Sequence, residues 1–258
     1  SKNMISIRIL QAITPQFAQE WATRFGFEAE KHPAFLTMAL GAGSVTPLQM
    51  ATAYGVFANG GYRVSPMLIS RITDSKGRVL NEPKPAPLDE SARTLEARNA
   101  FVMASLLQEV TRSGTAASAQ ARLKRPDIYG KTGTTNDSND AWFAGWQKEV
   151  VAVVWMGYDT PRKLGDRETG GVLALPMWID FMSHALRGVP VSYLMLLFVL
   201  VTAMTLLGVG KLDLFGTVLD ASDVVLHQPG AIGPETLAGA LGLDLEGRVI
   251  DGVVVIHV

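Results

Sequence analysis

One short stretch, residues 129–134, concentrates groups that can bind an anion. Its sequence is YGKTGT, in which Lys131 carries a positive charge and Thr132 and Thr134 carry hydroxyl groups. Gly133 separates the two threonines and has no side chain to keep a ligand away from the backbone. Hydroxyl groups beside an ammonium group can bind a carboxylate through charge-assisted hydrogen bonds. The stretch therefore predicts one wall of a carboxylate-binding site, with a turn and a phosphate loop as alternatives.

The phosphate loop does not fit the sequence. Its pattern, G-x-x-x-x-G-K-[ST], needs a glycine at position 125, which is arginine here, and a strand rather than a helix is predicted to follow. A threonine-rich edge strand can instead pair with an extended peptide through main-chain hydrogen bonds. By itself the K-T-G triplet is a modest signal, because about one chain in twenty of this length contains it by chance.

The elements that position this stretch begin with three helices. Thr14-Pro15 and Thr46-Pro47 each place a capping hydroxyl before a proline at the first helical position, so the pattern predicts helix starts there. These two helices should end near Gly26 and at 59–61. A third helix is expected from about Leu95 to Thr111. Helical spacing predicts that its buried face consists of Met103, Leu106, Leu107 and Val110.

Strands dominate the pattern after Pro126. Three β-rich stretches joined by short polar turns predict an antiparallel meander: DIYGKTGTT, AWFAGWQ and EVVAVVWMGYD. A period of 2 places Trp142 and Trp146 on the same, buried side of the middle strand. Residues 74–77 predict the turn of a separate hairpin. The anion-binding stretch therefore lies on the first strand of the meander.

Residues 131–133, Lys-Thr-Gly, match the third motif of the penicillin-recognising serine enzymes, whose set is S-x-x-K, S-x-N and K-T-G. Residues 1–3, Ser-Lys-Asn, fit the second motif. Over residues 1 to about 190 the chain resembles class A penicillin-binding proteins of the 1A type. The stretches that carry this resemblance are LTMALGAGSVTPLQMATAYGVFANGG, NAFVMASLLQEVTRSGTAA and IYGKTGTTNDSNDAWFAGW.

The resemblance implies a mixed α/β (α+β) fold, in which helices pack on an antiparallel sheet as in β-lactamases and transpeptidases. Residues 1–190 would form the C-terminal part of a transpeptidase domain, incomplete at its N-terminus. The parent would be a bifunctional glycosyltransferase and D,D-transpeptidase of the bacterial inner membrane, with its catalytic domain facing the periplasm. Its partners would be the D-Ala-D-Ala stem peptides of peptidoglycan and the β-lactam antibiotics that inhibit it.

The resemblance also implies roles for five residues and for one backbone group. Ser1 would relay a proton to the leaving group, and Asn3 would hydrogen-bond the substrate amide. Thr132 and Thr134 would hold the terminal carboxylate of the substrate. Lys131 would supply positive charge, and a backbone N–H of the strand that contains Gly133 would form half of the oxyanion hole.

The chain departs from the family pattern because its 258 residues contain no S-x-x-K, the motif that carries the acylated serine and its lysine base. Two alternatives to a transpeptidase therefore stay open. One is a non-catalytic, membrane-tethered remnant, which this departure favours for the chain alone. The other is a serine β-lactamase or D,D-carboxypeptidase relative, which the stretch GAGSVTPLQMATAY disfavours.

The composition changes near Pro190. Up to that residue the chain has 21 Lys and Arg, 17 Asp and Glu and all five tryptophans. Residues 191–258 have 2 Lys and Arg, 7 Asp and Glu and no tryptophan. The uncharged run at about 189–210 is long enough to cross a bilayer core of about 30 Å as a helix, with a buried helix as the alternative. The acidic, Gly/Val-rich segment that follows ends in GRVIDGVVVIHV, a possible hairpin. A change of reading frame after Pro190 would also explain the break, and we favour it over a native membrane helix.

Composition weighs against several other classes of function. The formal net charge is −1 and no basic run is interleaved with aromatic residues, so no nucleic-acid partner is expected. The chain has no cysteine, which excludes disulfides and thiolate chemistry. Its four histidines lack the spacing of metal ligands, so neither a metal nor a cofactor is expected: His32, His184, His227 and His257.

Overall fold

The computed structural model describes residues 2–86 and 89–192, together with the backbone of three short strands nearer the C-terminus. The α-helices are α1 Asn3–Ile13, α2 Pro15–Thr23, α3 Pro47–Ala58, α4 Ala97–Arg112, α5 Ser118–Leu123 and α6 Ala174–Ala185. The strands are β1 Ile72–Thr73, β2 Val79–Asn81, β3 Tyr129–Thr134, β4 Ala141–Gln147, β5 Val150–Met156, β6 Lys211–Leu214, β7 Thr217–Asp220 and β8 Val253–His257. Short 3-10 helices occur at Ala29–Lys31, Leu36–Leu40, Glu90–Ala92 and Asn136–Ser138.

The main sheet has the strand order β3-β4-β5-β8, with every neighbouring pair antiparallel. Strands β3, β4 and β5 follow one another in the chain and form the predicted meander, which is confirmed. The register pairs Gly133 with Trp142 and Trp142 with Trp155. Residues directly opposite one another in an antiparallel pair point to the same face, so each face of the sheet can be followed across the three strands.

Helix α6 covers one face of the sheet. Alternate residues of β4 and β5 point to this face and are fully buried, among them Phe143 and Val154. The ring of Trp178 on α6 packs edge to face on Phe143, with 4.8 Å between the ring centroids, and its indole N–H donates to the carbonyl oxygen of Ala152 at 2.9 Å. Because this polar atom is satisfied inside the core, burial of the large indole stabilises the packing of α6 on the sheet.

Helices α3 and α4 pack on the opposite face. Trp146 lies there between the stacked ring of Tyr129, at a centroid distance of 5.0 Å, and the rings of Tyr54 and Phe57 on α3. Trp142 packs on this side with Ala144, so both tryptophans share one face, as predicted. Trp146 is 2% exposed. The aromatic cluster therefore fixes α3 against β4, the neighbour of β3 in the sheet.

The predicted helix starts at the two Thr-Pro pairs are confirmed. The hydroxyl of Thr14 accepts a hydrogen bond from the backbone N–H of Phe17. Thr46 forms a capping box with Gln49, in which each side chain accepts from the other residue's backbone N–H, at 3.1 Å and 2.9 Å. The helix that begins at Pro47 ends at Ala58, immediately before the predicted stop at 59–61.

The third predicted helix exists as α4, but its buried face was predicted incorrectly. Met103 is 37% exposed and Leu106 is 58% exposed, whereas Ala100 and Ala104 are buried. Leu107 and Val110 are half-buried against the core, as expected. Helix α4 packs closely on β3, and small alanine side chains permit a closer approach than methionine or leucine. Contact with the strand, rather than the size of the apolar side chains, therefore determines which face is buried.

The hairpin predicted at residues 74–77 is confirmed and joins β1 to β2. The carboxylate of Asp74 accepts hydrogen bonds from the backbone N–H groups of Lys76 and Arg78, both at 2.9 Å. Gly77 adopts a φ of +77°, which glycine reaches without strain. The turn is therefore closed by local hydrogen bonds of the kind that aspartate and glycine favour.

Most of the segment after Ser192 lies outside the described residues. This includes residues 193–210 of the predicted membrane-length run and residues 251–252, the predicted hairpin turn. The residues after that turn form β8, which pairs with β5 so that Val255 lies opposite Ala152. Among the helices in the described parts of the chain, none is long and apolar enough to cross a bilayer.

Candidate active site

Strand β3, which contains the K-T-G triplet, lies at the edge of the main sheet. Its residues pair with β4 on one side, from Tyr129 opposite Trp146 to Thr134 opposite Ala141. On the other side β3 has no strand partner among the described strands. An edge strand of this kind presents main-chain donors and acceptors to which an extended peptide can pair.

The side chains of β3 alternate between the two faces of the sheet. Lys131 lies opposite Ala144, so it points to the face covered by α3, and Gly133 shares that face. A methyl group on Gly133 would lie 3.2 Å from the Cβ of Trp142, which is a tight contact. Thr132 and Thr134 point to the α6 face, because Thr132 lies opposite Phe143. A ligand at the open edge of β3 can therefore reach the lysine and both hydroxyls.

Lys131 is half-buried, and its ammonium group donates a hydrogen bond to the carbonyl oxygen of Thr132 at 2.9 Å. Burial lowers the pKa of Lys131 below that of an ordinary lysine, because the charged form loses part of its hydration. A lysine in this environment gains from a nearby anion, since the anion replaces the hydration that the lysine has lost. This electrostatic situation suits the carboxylate site predicted from the sequence.

Each of the two threonine hydroxyls has a hydrogen-bond partner. The hydroxyl oxygens of Thr132 and Thr115 are 2.8 Å apart, and Thr115 lies in the turn between α4 and α5. The hydroxyl of Thr134 accepts a hydrogen bond from the backbone N–H of Gly170 at 3.1 Å. Residues from before and after the meander therefore position both hydroxyls of β3.

Gly170 can make this contact only because it has no side chain. A Cβ at this position would lie 2.2 Å from the carbonyl oxygen of Trp142 and 2.3 Å from that of Gly133, distances that real Cβ atoms do not show. The sequence analysis missed both Gly170 and Thr115. The available signals were the Gly170-Gly171 pair and the S-G-T turn after α4, but neither pattern indicates which strand it contacts.

The loop between β3 and β4 is held by hydrogen bonds within the loop and to β5. The hydroxyl of Thr135 accepts from the backbone N–H of Asp140 at 2.7 Å, and Asp140 in turn accepts from the indole N–H of Trp155 at 2.8 Å. Asp137 and Ser138 have φ values of 60° and 53°, the left-handed region that most residues avoid. These contacts show that Asp140 orients Trp155 on the α3 face, beside Trp142.

The structure places four of the six predicted site residues on one strand, namely Lys131, Thr132, Gly133 and Thr134. Asn3 lies on a different element, as the first residue of α1, and its side chain is exposed. Ser1 lies outside the described residues. Within the part of the chain that the structure describes, no group of three or more His, Cys, Asp or Glu residues could hold a metal ion.

Comparison with known proteins finds similarity to penicillin-binding proteins. A family model described as the penicillin binding protein transpeptidase domain matches residues 1–174. Penicillin-binding protein 1A of Neisseria lactamica is 49% identical over 191 residues, which are 74% of this chain and 24% of that protein. Penicillin-binding protein 1A of Pseudomonas aeruginosa is 39% identical over 236 residues, covering 74% of this chain and 29% of that protein. The chain thus spans about a quarter of the length of these curated relatives.

Solved structures agree. The crystal structure of penicillin-binding protein 1A from Haemophilus influenzae has a TM-score of 0.68 and 34% identity, covering 74% of this chain and 34% of that one. The D,D-transpeptidase domain of a peptidoglycan glycosyltransferase from Eggerthella lenta has a TM-score of 0.57 at 21% identity, covering 73% and 52%, and this likeness concerns the fold alone. Because the family model covers more than half of the chain, the chain belongs to the penicillin-binding protein transpeptidase domain family and has its mixed, β-lactamase-like fold of helices on an antiparallel sheet.

Proposed function

We propose that this chain is the C-terminal part of a D,D-transpeptidase domain that cross-links peptidoglycan within a longer penicillin-binding protein. The observation that carries the proposal is the open edge of β3, where Lys131 and the hydroxyls of Thr132 and Thr134 surround Gly133. The relatives named penicillin-binding protein 1A support the substrate class, which is stem peptide ending in D-Ala-D-Ala and, as an inhibitor, a β-lactam.

The proposed reaction is acyl transfer in two steps. A serine hydroxyl attacks the carbonyl carbon of the penultimate D-Ala, the amide bond to the last D-Ala breaks, and that residue leaves with a proton on its nitrogen. An amine of a second stem peptide then attacks the acyl-serine ester, forms the cross-link and returns the serine. The 258 residues contain no S-x-x-K, so the serine and its lysine base come from a segment outside them.

The residues of β3 would bind the terminal carboxylate of the acyl donor. Thr132 and Thr134 donate hydrogen bonds to it, and Lys131 supplies positive charge on the other side of the strand. Gly133 lets the donor peptide approach the backbone closely. A backbone N–H of the strand stabilises the oxyanion, and each such donor contributes about 2.7 to 4 kcal/mol where it has been measured.

Two residues near the start of the chain would complete these contacts. Ser1 would carry a proton to the leaving nitrogen, or to the β-lactam nitrogen when a penicillin is bound. Asn3 would hydrogen-bond the substrate amide, and its exposed position at the start of α1 leaves its side chain accessible to a ligand. Both assignments depend on the match of residues 1–3 to the S-x-N motif.

We propose the same domain division as the sequence composition indicates, with residues 1–190 in the transpeptidase domain and residues 191–258 as an apolar and then acidic tail. The contacts of Arg125 keep the end of the first part with the domain, since its guanidinium donates to the carbonyl oxygens of Val189 and Pro190, whereas β8 of the tail also pairs with β5 of the main sheet. The parent would be anchored in the bacterial inner membrane, would expose this domain to the periplasm, and would carry a glycosyltransferase domain.

Labelling with a fluorescent penicillin tests this function. The 258-residue chain alone should give no labelled band that survives denaturation, because covalent capture needs the acylated serine. The longer protein with an S-x-x-K segment should be labelled, and Lys131→Ala or Gly133→Ala should slow its labelling severely. Gly55→Ala is a matched control, because a Cβ there meets open space within α3.

Three results would contradict the proposal. Labelling of the 258-residue chain would show that its nucleophile lies elsewhere than in an S-x-x-K motif. Labelling of the Gly133→Ala protein at the rate of the Gly55→Ala protein would show that β3 does not line the site. Absence of labelling in the longer protein would favour the non-catalytic alternative, which the missing S-x-x-K already favours for the chain alone.

A further inference from the structure

The two threonines of β3 face a simple constraint on hydrogen bonding. An ionised carboxylate only accepts hydrogen bonds, and each threonine hydroxyl has a single proton to donate. If Thr132 and Thr134 both donate to the ligand, neither can donate to any other group. Every protein atom that is hydrogen-bonded to these hydroxyl oxygens must then be a donor itself.

Thr134 satisfies this constraint through the backbone. Its partner is the N–H of Gly170, which can only donate, at 3.1 Å. The hydroxyl oxygen of Thr134 therefore accepts, and its proton stays available for the ligand. The absence of a side chain on Gly170 permits this contact, because a Cβ would collide with the carbonyl oxygens of Trp142 and Gly133.

Thr132 has a partner that can act in either direction. The hydroxyl of Thr115 lies 2.8 Å from that of Thr132, and either oxygen could be the donor. If Thr132 donated, its only proton would be used within the protein. If Thr115 donates, the proton of Thr132 is available, as that of Thr134 is. Thr115 is exposed and lies in the turn after α4, which is not part of the sheet.

We propose that Thr115 is a positioning residue for carboxylate recognition, whose hydroxyl donates to Thr132 and thereby directs the proton of Thr132 to the ligand. This inference rests on the proposed transpeptidase function. It assigns Thr115 and the Gly170 N–H equivalent roles, one for each threonine of β3. Both act through a threonine rather than through the reacting atoms.

The experiment measures acylation of the full-length protein by benzylpenicillin and by its methyl ester, which lacks the negative charge. Thr115→Val keeps the shape of the side chain and removes the hydroxyl that directs the proton of Thr132, and we expect it to slow acylation by benzylpenicillin about 3- to 12-fold, the effect of one lost hydrogen bond between neutral groups. Acylation by the ester should change less than about twofold, because the ester offers no carboxylate. Thr115→Ser keeps the hydroxyl and should restore the wild-type preference for the acid.

Thr23→Val is the matched control, since among the residues that the structure describes the hydroxyl of Thr23 donates only to the local carbonyl oxygen of Glu20 at the end of α2. Thr115→Ala is the second variant if the valine protein folds poorly. An unchanged preference for the acid in Thr115→Val, or a loss of preference in Thr115→Ser, would overturn the inference. Equal slowing with acid and ester would show a purely structural role and would overturn it too. If the wild-type protein reacts with neither compound, the proposed function itself is wrong, and the inference falls with it.

Discussion

A buried ion pair holds the segment after α6 against the sheet, and its removal should destabilise the whole domain. Arg125 and Asp127 form a two-pronged contact, with the Nε to Oδ1 distance 3.0 Å and the Nη2 to Oδ2 distance 2.7 Å. Their side chains are only 11% and 2% exposed. Asp127 Oδ2 also accepts from the side chain of Gln147 and from the backbone N–H of Ser192, both at 2.9 Å.

Three structural elements therefore meet at one carboxylate. Asp127 precedes β3, Gln147 ends β4, and Ser192 follows α6, while Arg125 adds hydrogen bonds to the carbonyl oxygens of Val189 and Pro190 at 2.6 Å and 2.8 Å. Removing one partner of a buried pair leaves the other charge without compensation, which costs about 3 to 5 kcal/mol. We expect Asp127→Asn to lower the free energy of unfolding by this amount at neutral pH.

The pKa of Asp127 gives this prediction a pH dependence. Burial alone raises the pKa, but hydrogen bonds from Arg125, from the Ser192 N–H and from Gln147, together with the charge of Arg125, hold it below its usual range. A carboxyl group whose pKa is lower in the folded state stabilises the protein above the unfolded value of about 3.9. This contribution is lost as the pH falls through the folded value. The stability lost below about pH 4 should therefore be smaller in Asp127→Asn than in the wild-type protein.

Urea unfolding of the 258-residue chain, followed by tryptophan fluorescence, measures both effects. The control is Asp166→Asn, which removes the exposed pair between Lys163 and Asp166, whose side chains are 53% and 90% exposed. Exposed pairs contribute little to stability because water screens them, so this control should be nearly neutral. If Asp127→Asn costs no more than Asp166→Asn, the ion pair does not hold the segment that follows α6.

Three further predictions concern the site and its supports. Gly170→Ala in the full-length protein should nearly abolish penicillin acylation, because its Cβ would lie 2.2 Å from the Trp142 carbonyl oxygen; labelling at the wild-type rate would contradict this. Thr46→Ala should lower the free energy of unfolding by about 0.5 to 2 kcal/mol through loss of the α3 cap, whereas Thr46→Ser should not. Because burial lowers the pKa of Lys131, the rate of acylation should decline with rising pH at a lower pH than an ordinary lysine would give. Lys131→Arg keeps the positive charge and should move this decline to higher pH; an unchanged pH profile would contradict the prediction.

Local signals in the sequence predicted much of the fold. A hydroxyl followed by proline marked the starts of α2 and α3, because a cap needs only the residues of the first turn. The three β-rich stretches with short polar turns predicted the meander β3-β4-β5, because antiparallel neighbours joined by short turns pair with each other. The K-T-G triplet was placed correctly on the first of these strands.

Contacts between distant parts of the chain could not be predicted in the same way. The buried face of α4 depends on its contact with β3, so the helical spacing of Met103 and Leu106 was misleading. The partner of Thr134 lies 36 residues later, and Arg125 binds Val189 across 64 residues. Such pairs depend on tertiary packing, and one sequence gives no local pattern that specifies them.

The K-T-G triplet alone is a modest signal because it does not specify which groups its side chains contact. Any edge strand with this sequence would expose one ammonium group and two hydroxyls. In this protein each group also has a defined partner, since Lys131 donates to the carbonyl oxygen of Thr132, Thr134 accepts from the Gly170 N–H, and Thr132 lies beside Thr115.

Fixed donors oriented before the ligand arrives need no reorganisation during binding or reaction, which is the usual source of electrostatic stabilisation in enzymes. A site of this kind therefore requires the turn after α4 and the glycine before α6 as much as the strand itself. If preorganisation is the reason for these contacts, Thr115→Val and Gly170→Ala should each weaken recognition of the carboxylate, although neither change removes a group from the K-T-G triplet.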